Sequence, residues 1–408
     1  MSVYEINLHE AIYSLSDALD LVGVTHIHHG KRVAYMATEC GKRMGWQGAR
    51  LDDLFQAAIL HDCGVSRTVV HAQLAQFEWE KEADHCKIGA ELLASCSLLH
   101  HLATTILHHH THWSELARLD FPDEVKLAAN CIYMVDRVDV LSLGVMSEGK
   151  DILLGKQEVR TRIAEKRGSW FHPDLVDAFL AVSGSDAFWL RLDSDNVDGY
   201  LATWLAHSSK REMRFNELKC LVKIFSHIVD AKSPFTRQHS DGVASLARYI
   251  GGLFELPKKN CEMLELAGFL HDLGKLRVPD ELLEKPGRLT EAESTVMRRH
   301  SFDTYSVLKN VKGLETIALW AAEHHERVNG AGYPYQLSNG QLSLEARIIA
   351  VADVFQALAQ QRPYRASLPP DEILRLLKEQ VAGNRLDGAI VAQVEANLGA
   401  CWQAAMPA

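Results

Sequence analysis

The sequence predicts an all-α protein built as two tandem helical bundles. Three observations predict it. Apolar residues recur at helical spacing, alternating runs of strand type are scarce, and one ordered set of histidines and aspartates occurs twice along the chain. The 408 residues suffice for two or three domains, and the repeat divides them into two of about 200 residues each.

The elements follow in order. Leu51, Leu54, Phe55 and Ala58 form one helix face that leads into His61-Asp62-Cys63-Gly64. An apolar helix around Leu201–Ala206 runs into the polar string His207-Ser208-Ser209-Lys210-Arg211. That string is the expected boundary, giving domains 1–206 and 207–408. In the second half Met263, Leu266, Ala267 and Leu270 stand at i, i+3, i+4 and i+7 and lead into His271-Asp272-Leu273-Gly274. Gly64 and Gly274 are the expected stops of these helices. A helix end lets neighbouring side chains turn toward one cavity.

Composition sets outer limits. With 43 basic and 53 acidic residues the net charge is −10, which argues against the broad basic footprint that long nucleic acids require. Apolar residues make up 47% and charged residues 24%, a globular mixture rather than a disordered one. No basic segment followed by an apolar run opens the chain, and no run approaches the ~20 apolar residues of a spanning helix. The expectation is a soluble cytoplasmic protein with no membrane contact. Eight cysteines without a C-x-x-C pair are expected to be reduced, buried and inert.

Histidine is the residue in excess: 21 in all, 14 of them before residue 205. His29, His61-Asp62, His85, His109-His110 and Asp136 run in the same order as His239, His271-Asp272, His300, His324-His325 and Asp353. From His29 to His61, and from His239 to His271, the interval is 32 residues; from His85 to His109, and from His300 to His324, it is 24. Asp20 and Asp230 each precede the first histidine by nine residues. Matched features in one order point to a duplicated domain. His28 and His108 leave the register of the first half open by one residue. Outside the pattern, His9, His71, His172, His207 and His227 are expected to be ordinary core or surface residues. Imidazoles and carboxylates are ligands for divalent ions such as manganese, iron or zinc. An aspartate can bridge two ions, and such a pair can generate a nucleophile at neutral pH and stabilise an in-line displacement at phosphorus.

Two strings make the second half recognisable: His271-Asp272-Leu273-Gly274-Lys275, and His324-His325-Glu326-Arg327-Val328-Asn329-Gly330-Ala331-Gly332-Tyr333-Pro334. From about residue 215 to 400 the chain resembles the HD-GYP family of phosphodiesterases, a branch of the HD phosphohydrolases. The first half looks like a plain HD domain. The resemblance implies HD-type bundles and two divalent ions, iron or manganese, on His239, His271, Asp272, His300, His324, His325 and Asp353, with Asp272 bridging. Some members place a glutamate, associated with a third ion, where this chain has Phe235, so two ions are expected. Asp272 and Lys275 are the implied catalytic residues. Lys275, Gly332, Tyr333 and Arg365 are the implied substrate contacts. The implied substrate is a cyclic dinucleotide, cyclic di-GMP or cyclic GMP-AMP, opened to the linear form and carried further to mononucleotides in some members. Many members have an aspartate three residues after Asp353, where this chain has Gln356.

The residues themselves suit that reading. A cyclic dinucleotide is a dianion, and on a protein of charge −10 its attraction must be local, through ions, Lys275 and Arg365. Gly330 and Gly332 permit positive φ and close backbone approach, and Tyr333 offers a ring and a hydroxyl. The first half keeps candidates for every ligand: His29, His61, Asp62, His85, His109, His110 and Asp136. It has Val65 in place of Lys275 and no glycine in Thr111-His112-Trp113-Ser114-Glu115, which stands in place of the loop. A further metal there belongs either to a regulatory or dimerising domain, homodimers included, or to a second phosphohydrolase site. The rivals for the whole protein are a mononucleotide nucleotidase and a sensor or docking module without turnover.

Overall fold

The computed structural model describes residues 2–22, 28–67, 83–147, 149, 151–206, 211–232, 239–361 and 366–406. Two compact units form: one spans Leu8–Ser209, the other joins Met1–Asn7 to Lys210–Ala408. Both are helical, and the fold class is all-α, two HD-type bundles.

In the first unit the main helices are α1 (Leu8–Asp20), α2 (His29–Arg43), α3 (Ala49–Leu60), α4 (Ala83–Ala94), α5 (Ala103–Leu107), α6 (Asp123–Ser147), α7 (Ile152–Ala164), α8 (Pro173–Val182) and α9 (Ser194–Ala206). The second helix is central and packs on α3, α6, α8 and α9. On α3 the expected face is buried at Leu54, Phe55 and Ala58, which removes apolar surface from water at about 25 cal/mol per Å². Asp151 caps α7 by accepting a bond from the Leu153 N–H, and His172 does the same for α8 ahead of Pro173.

The second unit begins with an antiparallel strand pair, β1 (Val3–Ile6) and β2 (Arg211–Arg214), in which Tyr4 faces Met213 and Ile6 faces Arg211. Its main helices are α10 (Phe215–Lys232), α11 (His239–Leu253), α12 (Lys258–Leu270), α13 (Glu291–Leu308), α14 (Glu315–Ala322), α15 (Leu344–Ala359), α16 (Pro370–Ala382), α17 (Gly388–Ala396) and α18 (Leu398–Ala405). Here α11 takes the central place, packed on α12, α15 and α18. Thr290 and Glu293 close a reciprocal capping box at the start of α13. The Ser343 hydroxyl caps α15.

Three features differ from the sequence expectation. Residues 1–7, assigned there to the first domain, lie with the second unit, because the four-residue strand Val3–Ile6 pairs with Arg211–Arg214. The end of α12 is enclosed on all sides: Leu264 and Phe269 are buried as well as Leu266, Ala267 and Leu270, while Met263 is only half-buried. Gly64 and Gly274 do not adopt the positive φ of a helix stop. A Cβ on Gly274 would lie 2.0 Å from the His300 carbonyl oxygen, and one on Gly64 would lie 2.0 Å from that of His85. These glycines let the turn after the His-Asp pair touch the neighbouring helix.

Candidate active site

Each unit brings its set of ligand-type residues to one place by the same local devices. His239 is the first residue of α11 and His29 the first of α2. His271-Asp272 and His61-Asp62 follow directly on the ends of α12 and α3. His300 and His85 project from α13 and α4, and Asp353 and Asp136 from α15 and α6. His324-His325 occupy a short 3-10 turn, Glu323–His325, after α14.

In the second unit the ring orientations are fixed from behind. The Nδ1–H of His271 donates to the Gly268 carbonyl at 2.7 Å, that of His300 to Met297 at 2.6 Å and that of His324 to Ala321 at 2.6 Å. His239 Nδ1 is held by the amide oxygen of Gln356. A carbonyl oxygen only accepts, so each ring carries a proton on Nδ1 and in its neutral form turns an Nε2 lone pair inward. Burial opposes charge on His271, but Asp272 and Asp353 push it up and favour a second proton there while no ion is bound. Those lone pairs converge: His239 and His271 stand 3.1 Å apart at Nε2, His300 and His324 3.2 Å. Neutral rings held this way repel one another unless a cation lies between them. Burial, with His325 beside it, pushes His300 down to about 3, and burial pushes His325 down to about 4, so both rings are neutral near pH 7.

Asp272 stands between two groups. Its Oδ2 is 3.2 Å from His271 Nε2 and 3.6 Å from His239 Nε2; its Oδ1 is 3.5 Å from His300 Nε2 and 3.8 Å from His324 Nε2. Asp353 Oδ1 completes the first group at 3.3 Å from His239, and His325 completes the second. Burial raises the cost of charge on Asp272, yet His271 and Lys275 outweigh it and hold the carboxyl well below its usual range. Its Oδ1 is buried without a hydrogen-bond partner. An orphaned carboxylate oxygen facing converging lone pairs is a donor set that fits divalent ions, one on each side of Asp272.

Lys275 lies in the 3-10 turn Leu273–Arg277, its Nζ 2.5 Å from Asp272 Oδ2. That turn is anchored by buried Lys232, which donates to the Leu276 carbonyl, and by Thr304, which accepts from the Gly274 N–H. Tyr333 sits over the second group, with its ring centroid 4.8 Å from that of His325. Gly330 has φ +75°, as expected; Gly332 is needed for closeness instead, since a Cβ would fall 2.4 Å from the Glu326 Cα. Arg365 and Phe235 lie outside the described residues.

Sequence reasoning missed three residues here. Glu326 accepts the backbone N–H groups of Tyr335, Gln336 and Leu337 at 2.6, 3.0 and 3.0 Å and so ties down the loop that carries Tyr333. Its place beside the His pair was the available signal. Arg298, exposed on α13 two residues before His300, holds its guanidinium 5.6 Å from the Tyr333 ring centroid. Gln356 supports His239.

The first unit repeats the arrangement. Asp62 Oδ2 lies 3.5 Å from His61 Nε2 and its Oδ1 3.6 Å from His85 Nε2. His61 and His109 donate to the Ala58 and Ile106 carbonyls. The support of His29 differs: its Nδ1 meets the Asp139 carboxylate at 2.7 Å, itself paired with Arg32. Burial opposes charge on His29, but Asp136 and Asp139 prevail and push it up to about 10. A small pocket opens beside His29, His61 and Asp62, and Val65 lines it where the second unit has Lys275.

Models of the HD domain match residues 223–390 and 27–141. The chain is 35% identical over 396 residues to the 3'3'-cGAMP-specific phosphodiesterase 1 of Vibrio cholerae serotype O1, covering 95% of this chain and 91% of that one. The chain belongs to the HD-GYP family. This HD-GYP chain is also 35% identical over 187 residues to a cyclic di-GMP phosphodiesterase of Pseudomonas aeruginosa, over 46% of this chain and 42% of that one. A crystal structure of a cyclic GMP-AMP-specific phosphodiesterase from V. cholerae superposes with a TM-score of 0.64 at 25% identity, over 97% of this chain and 98% of that one. Among the described residues of this HD-GYP protein no helix is long and apolar enough to cross a membrane.

Proposed function

We propose that the second unit is a metal-dependent phosphodiesterase that opens a cyclic dinucleotide, cyclic GMP-AMP or cyclic di-GMP, to the linear form. The observation that carries the reading is the bridging placement of Asp272 between two groups of inward-facing imidazoles, in a chain aligned almost end to end with a relative named for cyclic GMP-AMP. His239, His271 and Asp353 would hold one ion, His300, His324 and His325 the other, with Asp272 shared; imidazole with carboxylate suits iron or manganese. Bound there, two ions supply Lewis acidity and a nucleophile at neutral pH. The chain's own residues do the rest. Lys275, whose Nζ stands beside Asp272, would offer its ammonium to the phosphoryl oxygens, where charge builds during displacement. Tyr333 gives a base a ring to pack on, Gly332 admits the backbone to that spot, and Arg298 adds a cation at the rim. Arg365 is assigned to the same substrate. Eight cysteines with no disulfide suit a reducing, cytoplasmic setting.

The first unit is proposed as a second metal-binding HD domain that does not open the ring, because Val65 cannot stabilise phosphate charge. Full-length protein loaded with manganese or iron(II), incubated with each cyclic dinucleotide in turn, is expected to release a linear dinucleotide. Asp272→Ala is expected to abolish the release. Protein that binds its metal fully and cleaves none of the rings overturns the proposal.

A further inference from the structure

One difference between the units adds a sulfur donor to the cluster of ligand-type residues. After His300 the second unit has Ser301, whose hydroxyl stands 3.4 Å from His300 Nε2. After His85 the first unit has Cys86, buried, whose Sγ stands 3.6 Å from His85 Nε2 and 4.0 Å from His109 Nε2. The two imidazole nitrogens are themselves 3.3 Å apart. His109 has its Nδ1–H committed to the Ile106 carbonyl, so its Nε2 presents a lone pair to the other two atoms. Together His85, Cys86, His109 and His110 place one donor atom each within 4.8 Å of one another. Around a tetrahedral zinc, with nitrogen at ~2.0 Å and sulfur at ~2.3 Å, neighbouring donors stand about 3.3 Å apart for two nitrogens and about 3.6 Å for nitrogen and sulfur. The 3.3 Å between the two nitrogens and the 3.6 Å from Sγ to His85 have that size, while the 4.0 Å from Sγ to His109 is somewhat longer. Asp62 Oδ1, buried and without a hydrogen-bond partner, faces the same space 3.6 Å from His85.

We propose that the first unit holds a single thiophilic ion, zinc, on one thiolate and three imidazoles, those of Cys86, His85, His109 and His110. This deepens the reading of that unit as a metal site and rests on it. Cys86 binds as the thiolate and gives its proton to solvent. A thiolate is a far better ligand for zinc than the hydroxyl at Ser301, whereas the nitrogen and oxygen donors of the second unit suit harder ions. One chain would thus carry two differently selective centres. The other half of the first cluster is less open to an ion, because Arg137 Nη2 lies 2.7 Å from Asp136 Oδ2. The second unit has Val354 after Asp353, where the first has Arg137.

The test uses the full-length protein stripped of metal and titrated with cobalt(II), which reports a bound thiolate by charge-transfer absorption in the near ultraviolet. Wild type is expected to develop that band. Cys63→Ser, altering the other cysteine near the cluster, keeps it. Cys86→Ser loses it while still binding cobalt, and weakens zinc at least roughly 100-fold, since losing a ligand costs no less than losing a residue that supports one. His109→Ala loses both the band and one equivalent of cobalt. Zinc X-ray absorption on wild type, independent of any variant's folding, is expected to show a sulfur neighbour at ~2.3 Å. If His109→Ala removes an equivalent of cobalt but wild type has no band and no sulfur neighbour, the first-unit metal site stands and the thiolate is overturned. If no equivalent is lost, both fall.

Discussion

Glu326 shows how much of this site depends on a residue that does not face it. Its buried carboxylate accepts three consecutive N–H groups of the chain that follows Tyr333. Bonds from backbone N–H to a charged acceptor are each worth about 1.5–3 kcal/mol. Glu326→Gln removes the charge and turns an amide NH2 toward at least one of these donors. The expected outcome is a loss of about 2 kcal/mol in urea unfolding, with a raised KM for the cyclic dinucleotide and an unchanged metal content. Metal lost along with affinity would place Glu326 in support of His325 instead of the loop. The clustered histidines were legible in the sequence because equal intervals, duplicated in order, are visible in the residue numbers alone. For Glu326 only its place beside the His pair was visible; its role was not, because its partners are main-chain groups nine to eleven residues away that leave no mark on residue type. Cys86 was read as an inert buried thiol for a similar reason. A cysteine without a C-x-x-C partner becomes a ligand candidate only when the fold brings histidines to it.

At the scale of elements, the turn after each His-Asp pair sets the distance between ligand groups. Gly274 lies against the carbonyl of His300, and Thr304 bridges the Gly274 N–H to the His271 carbonyl. The sequence showed that a glycine was needed there and left the reason ambiguous, since helix stops and close helix contacts both select it. Gly274 serves the contact, since its φ is not positive and a Cβ would lie 2.0 Å from the His300 carbonyl oxygen. Gly274→Ala should therefore push the turn carrying Asp272 and Lys275 away from α13. Overpacking of this kind costs about 1–3 kcal/mol, and the Nε2-to-carboxylate spacing across Asp272 would widen. Thermal unfolding should shift down, and metal analysis should show the second unit losing ions at concentrations that saturate wild type. A destabilised protein with full metal content would mean that the turn yields without moving Asp272.

At the scale of the molecule, the order of the chain is unusual for a simple tandem. The strand Val3–Ile6 pairs with Arg211–Arg214, so the whole first unit is inserted, in sequence, between two adjacent strands of the second. Insertions between neighbouring chain ends are tolerated because the host loses little by receiving them. The sequence boundary near residue 206 came from a polar string after an apolar helix. A four-residue strand is too short to register as an alternating pattern, so the return of the N-terminus to the second unit was not legible. Its contribution is substantial for so short a segment. Ile6 is fully buried, Tyr4 nearly so, and the Tyr4 hydroxyl donates to Glu262 at 3.1 Å. Deleting residues 2–7 removes both side chains and strips β2 of its only partner among the described residues. The expected cost is at least about 3 kcal/mol, the range for losing either of these two large buried side chains alone. Hydrogen exchange should locate it in the second unit: faster exchange at Met213, through Phe215–Lys232 and around Glu262, with Leu8–Ser209 unchanged. If exchange instead rose throughout Leu8–Ser209, the opening segment would be stabilising the first unit, and the sequence boundary would describe the folding units better than the strand pairing does.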